Sequence, residues 1–157
     1  HRRGGQVTAI DVRHDRLLPQ LIAAFDLPID FAVQDVHQIT AAFGEFDLVV
    51  CGTLLLHLAD PLGALRALRT VTAGRLVIST TATPDSDTSD VPDLQFFGER
   101  AADGDYWSYW GISATALRRM ALAAGFARVD HVTHFDIEPE AGFSGAAGRQ
   151  VVLSAYV

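Results

Sequence analysis

Short apolar runs rich in β-branched residues recur along the first half of the chain. Such runs are typical of strands that are buried on both faces of a parallel sheet. They lie at residues 6–11, 30–36, 46–51 and 75–80. Stretches with helical spacing separate them, and this alternation predicts an α/β fold with right-handed crossover connections.

The helical stretches carry start and stop signals. Two are predicted at residues 18–25 and near 39–43. A third has Asp60 as its N-cap and Pro61 in its first turn, followed by leucines at helical spacing. Gly74 is expected to end this helix.

The second half has a different pattern. Residues 81–93 are rich in Thr, Asp, Ser and Pro and predict a surface loop, whereas the aromatic-rich stretch 94–113 has no clear period. Ser113 is expected to cap a helix that Gly125 stops. Two final strands, near 129–137 and 149–157, follow with a glycine-rich loop between them, which predicts an antiparallel pair.

Composition narrows the class of protein. The 157 residues are 49% hydrophobic, which suffices for the core of a single domain over residues 1–157. The net charge is −7 and all 12 cationic side chains are arginines. Without a basic stripe, nucleic acid is disfavoured as the main partner and a small or neutral substrate is favoured.

Cysteine usage and the first residues indicate the compartment. Cys51 is the single cysteine, so it cannot form an internal disulfide, and no Cys/His spacing suggests a metal site. The N-terminal residues lack the apolar stretch of a signal peptide, and no apolar run approaches the roughly 18 residues that cross a bilayer. We therefore expect a soluble cytoplasmic protein without a metal or a membrane partner.

Acidic residues end the first two predicted strands, where an open α/β sheet binds its ligands. The Asp11 carboxylate could accept both hydroxyls of a ribose while Val12 packs on adenine. Asp35 could receive the adenine amino group. Taken alone, Asp11 is more often a helix cap or a solvated loop acid, and Asp35 is as readily a polar turn residue.

Gly52 and His57 follow the third predicted strand. A glycine there permits close approach of a ligand to the backbone, although a plain turn glycine has the same pattern. His57 interrupts the apolar stretch LLLHL and could act as a general base or as a donor to the substrate, since imidazole titrates near neutrality. A lone histidine is more often structural.

An aromatic cluster precedes the Ser113 helix. Its members could line an apolar substrate pocket or could cap the core beneath that helix, and we expect about two of the four to face a ligand. They are Tyr106, Trp107, Tyr109 and Trp110.

The order of these motifs resembles the class I S-adenosylmethionine (SAM)-dependent methyltransferases. The strings AID, QDV, FDLVVCGTLLLHLADPLGALRAL, RLVIST and YWGISATALRRMALAAGF are similar to those of the branch that includes the tRNA wobble-uridine carboxymethyltransferase. The stretch from Phe46 through His57 to Pro61 and the aromatic pair before Ser113 carry the likeness. It spans residues 7–157 and rests on order and spacing.

The resemblance implies a Rossmann-like methyltransferase sheet, SAM as the cofactor and methyl transfer to an oxygen, nitrogen or carbon acceptor. It implies that Asp11 binds the ribose. Adenine contacts would come from Val12, Asp35 and Val36, a cofactor wall from Cys51, Gly52 and Thr53, and substrate contacts from His57, Tyr106, Trp107, Tyr109 and Trp110.

In the family, a first strand and a Gly-rich loop precede the strand that ends in the ribose-binding acid. Only six residues precede Val7, so a strand, loop and helix of about 30 residues are expected to be missing from an N-terminally truncated domain. That strand is central in the family. Its absence would expose two strand edges, and we expect poor solubility or a homo-oligomer from these residues alone.

Two other functions compete with a methyltransferase. Asp11 would suit the ribose of NAD equally well, but the chain has no lysine for the Tyr-x-x-x-Lys pair of a dehydrogenase. A degenerate methyltransferase-like scaffold is the second. For the methyl acceptor, the acidic charge favours a small molecule over tRNA.

Overall fold

The computed structural model describes residues 4–13, 17–83, 90–100, 106–137 and 148–157. Strands and helices alternate through the first half, which confirms the predicted α/β order. In these ranges no helix is both long and apolar enough to cross a membrane. The elements are β1 (Val7–Asp11), α1 (Leu17–Ala24), β2 (Ile29–Val33), β3 (Phe46–Gly52), α2 (Pro61–Val71), β4 (Thr72–Thr81), β5 (Leu94–Arg100), β6 (Tyr106–Ile112), α3 (Ala114–Ala123), β7 (Arg128–Ile137) and β8 (Gly148–Tyr156).

Hydrogen bonding groups the described strands into separate sheets. β1 pairs with β2 in parallel, and β5 pairs with β6 antiparallel. The remaining strands form a four-stranded sheet in the order β3-β4-β8-β7. In it β3 and β4 are parallel, whereas β8 is antiparallel to both β4 and β7. The predicted antiparallel pair at the end of the chain is therefore confirmed.

A cavity of about 400 Å³ separates β1 from β3. Its walls include residues 8–11 of β1 and residues 48–52 of β3. On one face of β3, Leu48 and Val50 are 49% and 68% exposed, so nothing in the described ranges covers these apolar side chains. The two parallel pairs, β1-β2 and β3-β4, are therefore not joined by strand pairing in the described part of the chain.

Helix α2 lies at the centre of the core. Leu65 on its inner face is fully buried together with Leu76 of β4. Its N-terminus is capped as predicted, because the Asp60 carboxylate accepts a hydrogen bond from the Gly63 N–H at 2.8 Å and Pro61 occupies the first turn.

The predicted end of α2 at Gly74 is wrong. The helix ends at Val71, and the buried Thr72 follows it with its hydroxyl donating to the Leu68 carbonyl at 2.8 Å. Gly74 lies inside β4, where a Cβ atom would stand 2.6 Å from the carbonyl oxygen of Asp47. The glycine thus permits the close approach of β3 and β4 and does not stop the helix.

The chain between β2 and β3 also departs from the predicted boundaries. β2 ends at Val33 because Asp35 caps a 3-10 turn at Val36–Gln38. The helical stretch expected near residues 39–43 is a second 3-10 turn at Ala41–Phe43.

The aromatic-rich stretch, for which the sequence shows no period, forms the β5-β6 pair. The register shifts between Phe96 and Glu99, where Gly98 adopts a φ of 63°. A bulge of this kind breaks the alternation of period two by which a strand is recognised. Two predicted loops are described only in part. Residues 84–89 of the loop predicted at 81–93, and residues 138–147 of the glycine-rich loop before β8, lie outside the described residues.

Ser113 generates a prediction about stability. Its hydroxyl oxygen accepts hydrogen bonds from the N–H of Ala116 at 3.1 Å and of Asp93 at 2.9 Å. Ser113→Ala leaves both donors without this acceptor, so chemical denaturation should show a free energy of unfolding about 1–3 kcal/mol lower. Thr70→Ala, which removes an exposed hydroxyl that donates to Ala67 in α2, is the control and should change it by less than about 0.5 kcal/mol. Equal losses would contradict the capping role.

Candidate functional site

A second cavity, of about 520 Å³, opens at the carboxyl ends of β1 and β3. This is the position at which open α/β sheets bind ligands. The structure brings together there six residues that the sequence singled out. They are Asp11, Val12, Val36, Gly52, Thr53 and His57.

Sequence reasoning missed further lining residues, among them Gln34, Leu54 and Leu58. Gln34 donates its backbone N–H to the Asp11 carbonyl at 2.9 Å, which extends the pairing of β1 and β2 to the rim of the cavity. A signal for these residues was present, because Gln34 adjoins the predicted strand tip and the two leucines flank His57 within the LLLHL stretch.

Asp11 places a carboxylate at the rim of this cavity. Its Oδ1 accepts the backbone N–H of Arg13 at 3.0 Å, so a local turn orients the side chain. Val12, beside it, is 60% exposed. An anionic acceptor next to an exposed apolar side chain suits a ligand that carries hydroxyl donors beside a flat apolar ring.

The chain leaves β3 through a strained turn. Thr53 has a φ of 52°, in the left-handed region that β-branched residues rarely adopt, and its N–H donates to the Ser79 carbonyl at 2.8 Å. Such a conformation costs of order 1–3 kcal/mol and persists where the surrounding structure fixes it, often at ligand sites. Gly52 before it adds no side chain, so a ligand can approach the backbone at this point.

Cys51 has a different environment from Gly52 and Thr53, which follow it. It is 3% exposed and lines the cavity between β1 and β3. Burial raises the pKa of its thiol to about 12, so the sulfur is protonated at neutral pH and is a weak nucleophile. The thiol therefore acts as a small apolar group in the core, and its contact with a cofactor stays a prediction. In the described ranges, no group of three His, Cys, Asp or Glu residues is placed to hold a metal ion.

The Asp35 carboxylate is engaged with its own turn. Its Oδ1 accepts the backbone N–H of His37 at 2.9 Å and lies 3.1 Å from Nδ1 of the same residue. These hydrogen bonds, the backbone one foremost, lower the pKa of Asp35, which is therefore anionic at neutral pH. Val36 is buried and reaches both cavities. A contact between Asp35 and an adenine amino group stays a prediction.

His57 ends a 3-10 turn, Leu55–His57, which lies against β6. The turn is anchored by the Trp110 indole, whose Nε1 donates to the Leu58 carbonyl at 3.0 Å. The Trp110 ring also meets Phe96 edge-on, with 5.3 Å between the ring centroids. The β5-β6 pair thus supports the cavity wall that carries His57.

Three further aromatic residues belong to the cluster around Trp110. Tyr109 is half-buried in β6. The side chains of Tyr106 and Trp107 lie outside the described part of the structure. A substrate contact from any of the four stays a prediction, and Trp110 reaches the cavity through Leu58.

Comparison with known proteins identifies the family. Residues 2–131 match the family model described as a methyltransferase domain. The chain belongs to this family. The resemblance inferred from motif order is confirmed at that level.

Relatives with 36–37% identity match part of the chain. The ubiquinone biosynthesis O-methyltransferase of Xanthomonas campestris pv. campestris (strain B100) is 37% identical over 89 aligned residues, and the match covers 50% of this chain and 35% of the relative. The protein of the same description in Xanthomonas axonopodis pv. citri is 36% identical over 89 residues. The match thus spans about a third of the length of these relatives.

Solved structures share the fold. The N-terminal domain of EvdMO1 with S-adenosylhomocysteine (SAH) bound has a TM-score of 0.68 at 19% identity, covering 98% of this chain and 65% of that one. The 1,6-didemethyltoxoflavin-N1-methyltransferase of Burkholderia thailandensis has a TM-score of 0.68 at 20% identity, with 99% and 62% covered. The glycopeptide N-methyltransferase MtfA, complexed with SAM, has a TM-score of 0.64 at 16% identity, with 98% and 78% covered. The predicted Rossmann-like methyltransferase fold is confirmed.

The hydrogen bond from the Trp110 indole to the Leu58 carbonyl can be tested by substitution. Trp110→Phe removes the indole donor and keeps an aromatic ring near Phe96. The Leu58 carbonyl then loses a part-buried hydrogen bond, and we expect the free energy of unfolding to fall by about 0.5–1.5 kcal/mol in chemical denaturation. Phe96→Leu keeps the donor and loses the ring contact, so it measures that contact separately. An unchanged stability of Trp110→Phe would show that the hydrogen bond does not support this wall.

Proposed function

We propose that this chain is part of a SAM-dependent methyltransferase and that the cavity at the ends of β1 and β3 binds the adenosine part of SAM. The observation that carries the proposal is that Asp11, Val12, Gly52 and Thr53 line one cavity in a chain of the methyltransferase family. The SAH and SAM complexes of structures with the same fold support this choice of cofactor.

The residues present fit adenosine. The oriented Asp11 carboxylate would accept hydrogen bonds from the two ribose hydroxyls, and the exposed Val12 would pack on the adenine ring. Contacts from Asp35, beside Val36, and from Cys51, which lines the cavity between β1 and β3, belong to the proposal as the family resemblance implies them. Val36 lies on the adenine side of the cavity, and Gly52 and Thr53 form the opposite wall. The left-handed Thr53 turn keeps this wall in place, because its N–H is bonded to β4.

SAM, when bound, supplies an electrophilic methyl group on a sulfonium sulfur. Transfer by SN2 displacement depends on alignment of the reactants more than on acid–base groups. The protein therefore mainly binds, orients and excludes water, and the apolar walls from Val36, Leu54 and Leu58 suit that task. His57 in the same cavity is the candidate base for an acceptor that must be deprotonated.

The acceptor we propose is a small molecule. A small-molecule acceptor is supported by the relatives described as ubiquinone biosynthesis O-methyltransferases and by a protein of the same fold, the 1,6-didemethyltoxoflavin-N1-methyltransferase solved with 1,6-didemethyltoxoflavin bound. The net charge of −7 disfavours an RNA backbone as a binding partner. The likeness to the wobble-uridine branch leaves tRNA as the alternative acceptor.

For the methionine end of SAM, we propose a strand and Gly-rich loop between β1 and β3, as the family resemblance implies. The cavity of about 400 Å³ between these strands and the exposed apolar face of Leu48 and Val50 support that position. Backbone N–H groups of such a loop would face the cofactor at a helix N-terminus.

The ribose ligand gives the first test. Asp11→Asn in the full-length protein should weaken SAH binding about 10- to 100-fold in isothermal titration calorimetry, because charge-assisted hydrogen bonds become neutral ones. Asp30→Asn is the matched control. It removes the same charge from an exposed residue near the amino end of β2 and should leave affinity within about twofold.

The same titrations separate the competing functions. NADH binding without SAH binding would establish a nucleotide-dependent oxidoreductase. Binding of neither, with stable assembly on another subunit, would establish a degenerate scaffold. Equal losses in Asp11→Asn and Asp30→Asn would contradict the assigned role of Asp11.

His57 gives a separate test with an acceptor found by screening for SAM consumption. His57→Ala should lower kcat about 10²- to 10⁴-fold if His57 takes the acceptor proton, measured at saturating SAM so that a change in cofactor affinity does not contribute. His57→Gln keeps a polar side chain and should be as slow, since an amide cannot accept the proton. Normal turnover of His57→Ala would overturn the role as a base.

A further inference from the structure

Hydrogen bonds join the turn after β2 to β1 on one side and to α2 on the other. On the β1 side, the Asp11 carbonyl accepts the Gln34 N–H at 2.9 Å. The turn after Gln34 carries His37, whose Nε2 lies 2.9 Å from the Asp60 carbonyl oxygen, 23 residues further along the chain. This contact joins the turn after β2 to the N-terminus of α2.

Both ring nitrogens of His37 face acceptors. Nδ1 lies 3.1 Å from Oδ1 of Asp35, and Nε2 faces the Asp60 carbonyl. A carboxylate and a carbonyl cannot donate, so each contact needs an N–H on the imidazole. A neutral ring has one N–H and can make one of the two hydrogen bonds, whereas the cation makes both.

The two joined segments form walls of the proposed SAM cavity. Val36 precedes His37 and is buried against the core, and His57 and Leu58 precede Asp60 on the other segment. Asp60 is itself fixed, because its carboxylate caps α2 through Gly63. A break at His37 would therefore free the turn after β2 from an anchored neighbour.

We propose that His37 is a positioning residue, which in its cationic form clamps the turn at Val36–Gln38 to the N-terminus of α2 and so holds the adenine wall of the cavity. His37 touches no reacting atom in this role. The effect on SAM affinity rests on the proposed function, whereas the clamp itself does not.

The direction of the pH dependence follows from the charges on His37. Its pKa is raised above 6.5, first by the hydrogen bond to the Asp60 carbonyl and then by Asp35, against an opposing effect of burial. The charged groups that act on it are Asp35 on its own turn and Asp60 at α2. The clamp's contribution to stability is therefore complete below the unfolded-state pKa of about 6.5 and is lost as pH rises through the raised pKa of the folded state.

The clamp is tested first without a cofactor. Imidazole NMR titration of the full-length protein should place the pKa of His37 above 6.5, and Asp35→Asn should lower it, since the paired charge is gone. Protection of the Gly63 and His37 amides against hydrogen exchange should fall as His37 titrates in wild type. In His37→Gln, protection should be low and independent of that titration. A pKa of His37 that is not raised, or amide protection that does not change as His37 titrates, would overturn the clamp.

The coupling to the cavity is tested with SAH. Between about pH 6 and 8.5, SAH affinity of wild type should fall roughly threefold to tenfold as pH rises, consistent with the loss of one hydrogen bond to a half-exposed charged group. His37→Gln should bind at the weaker level throughout. By linkage, saturation with SAH should raise the pKa of His37.

Two comparisons assign the effect to His37. His57 carries a second imidazole in the cavity, so the series is repeated in His57→Gln, in which the fall should persist. In Asp35→Asn the fall in SAH affinity should begin at a lower pH than in wild type, because the pKa of His37 is lower without the paired charge. A fall at the same pH as in wild type would overturn the place of Asp35 in the clamp.

Failure of the coupling and failure of the proposed function give different results. SAH binding that is tight but independent of pH, with His37 titrating normally, would overturn the coupling alone. Absence of SAH binding at every pH would overturn the proposed function, and the exchange data would still decide whether His37 joins the two segments.

Discussion

The packing of α2 is the constraint on which the rest of the structure depends. Its buried face contacts β4 on one side and the 3-10 turns after β2 on the other. The pairs β1-β2 and β3-β4 share no strand pairing in the described part of the chain. The packing of α2 therefore fixes the position of one parallel pair relative to the other. The cavity exists only while both pairs keep that relation, since its walls come from each.

Many of these helices and strands could be predicted from the sequence, because they depend on interactions between residues close together in the chain. Asp60 and Ser113 cap their helices for reasons contained within four residues of sequence, and the apolar runs identify strands through burial alone. The carboxyl ends of parallel strands then meet at one edge by geometry, which is why Asp11, Gly52 and His57 line a common cavity.

The features that escaped prediction depend on contacts distant in sequence or on irregular backbone. The bulge at Gly98 removes the alternation from β5-β6, so aromatic content without a period gave no sign of a strand pair. Gly74 looks like a helix stop in sequence, but the backbone of Asp47 determines its role. No spacing rule relates His37 to Asp60, because the acceptor is a main-chain carbonyl that any residue would supply.

Among the described residues, the polar groups that line the site lie at strand ends and in turns. For the methyl transfer that we propose, the protein would hold two reactants in line, so the precise position of the cavity walls would matter more than the acidity of any one group. Two features hold the cavity walls in position: the strained Thr53 turn bonded to β4, and the hydrogen bonds between Asp11 and α2. The Thr53 bond joins two main-chain groups and is insensitive to pH. The hydrogen bonds pass through one imidazole, so in the proposed clamp the protonation of His37 would change the geometry of the wall that we propose for adenine.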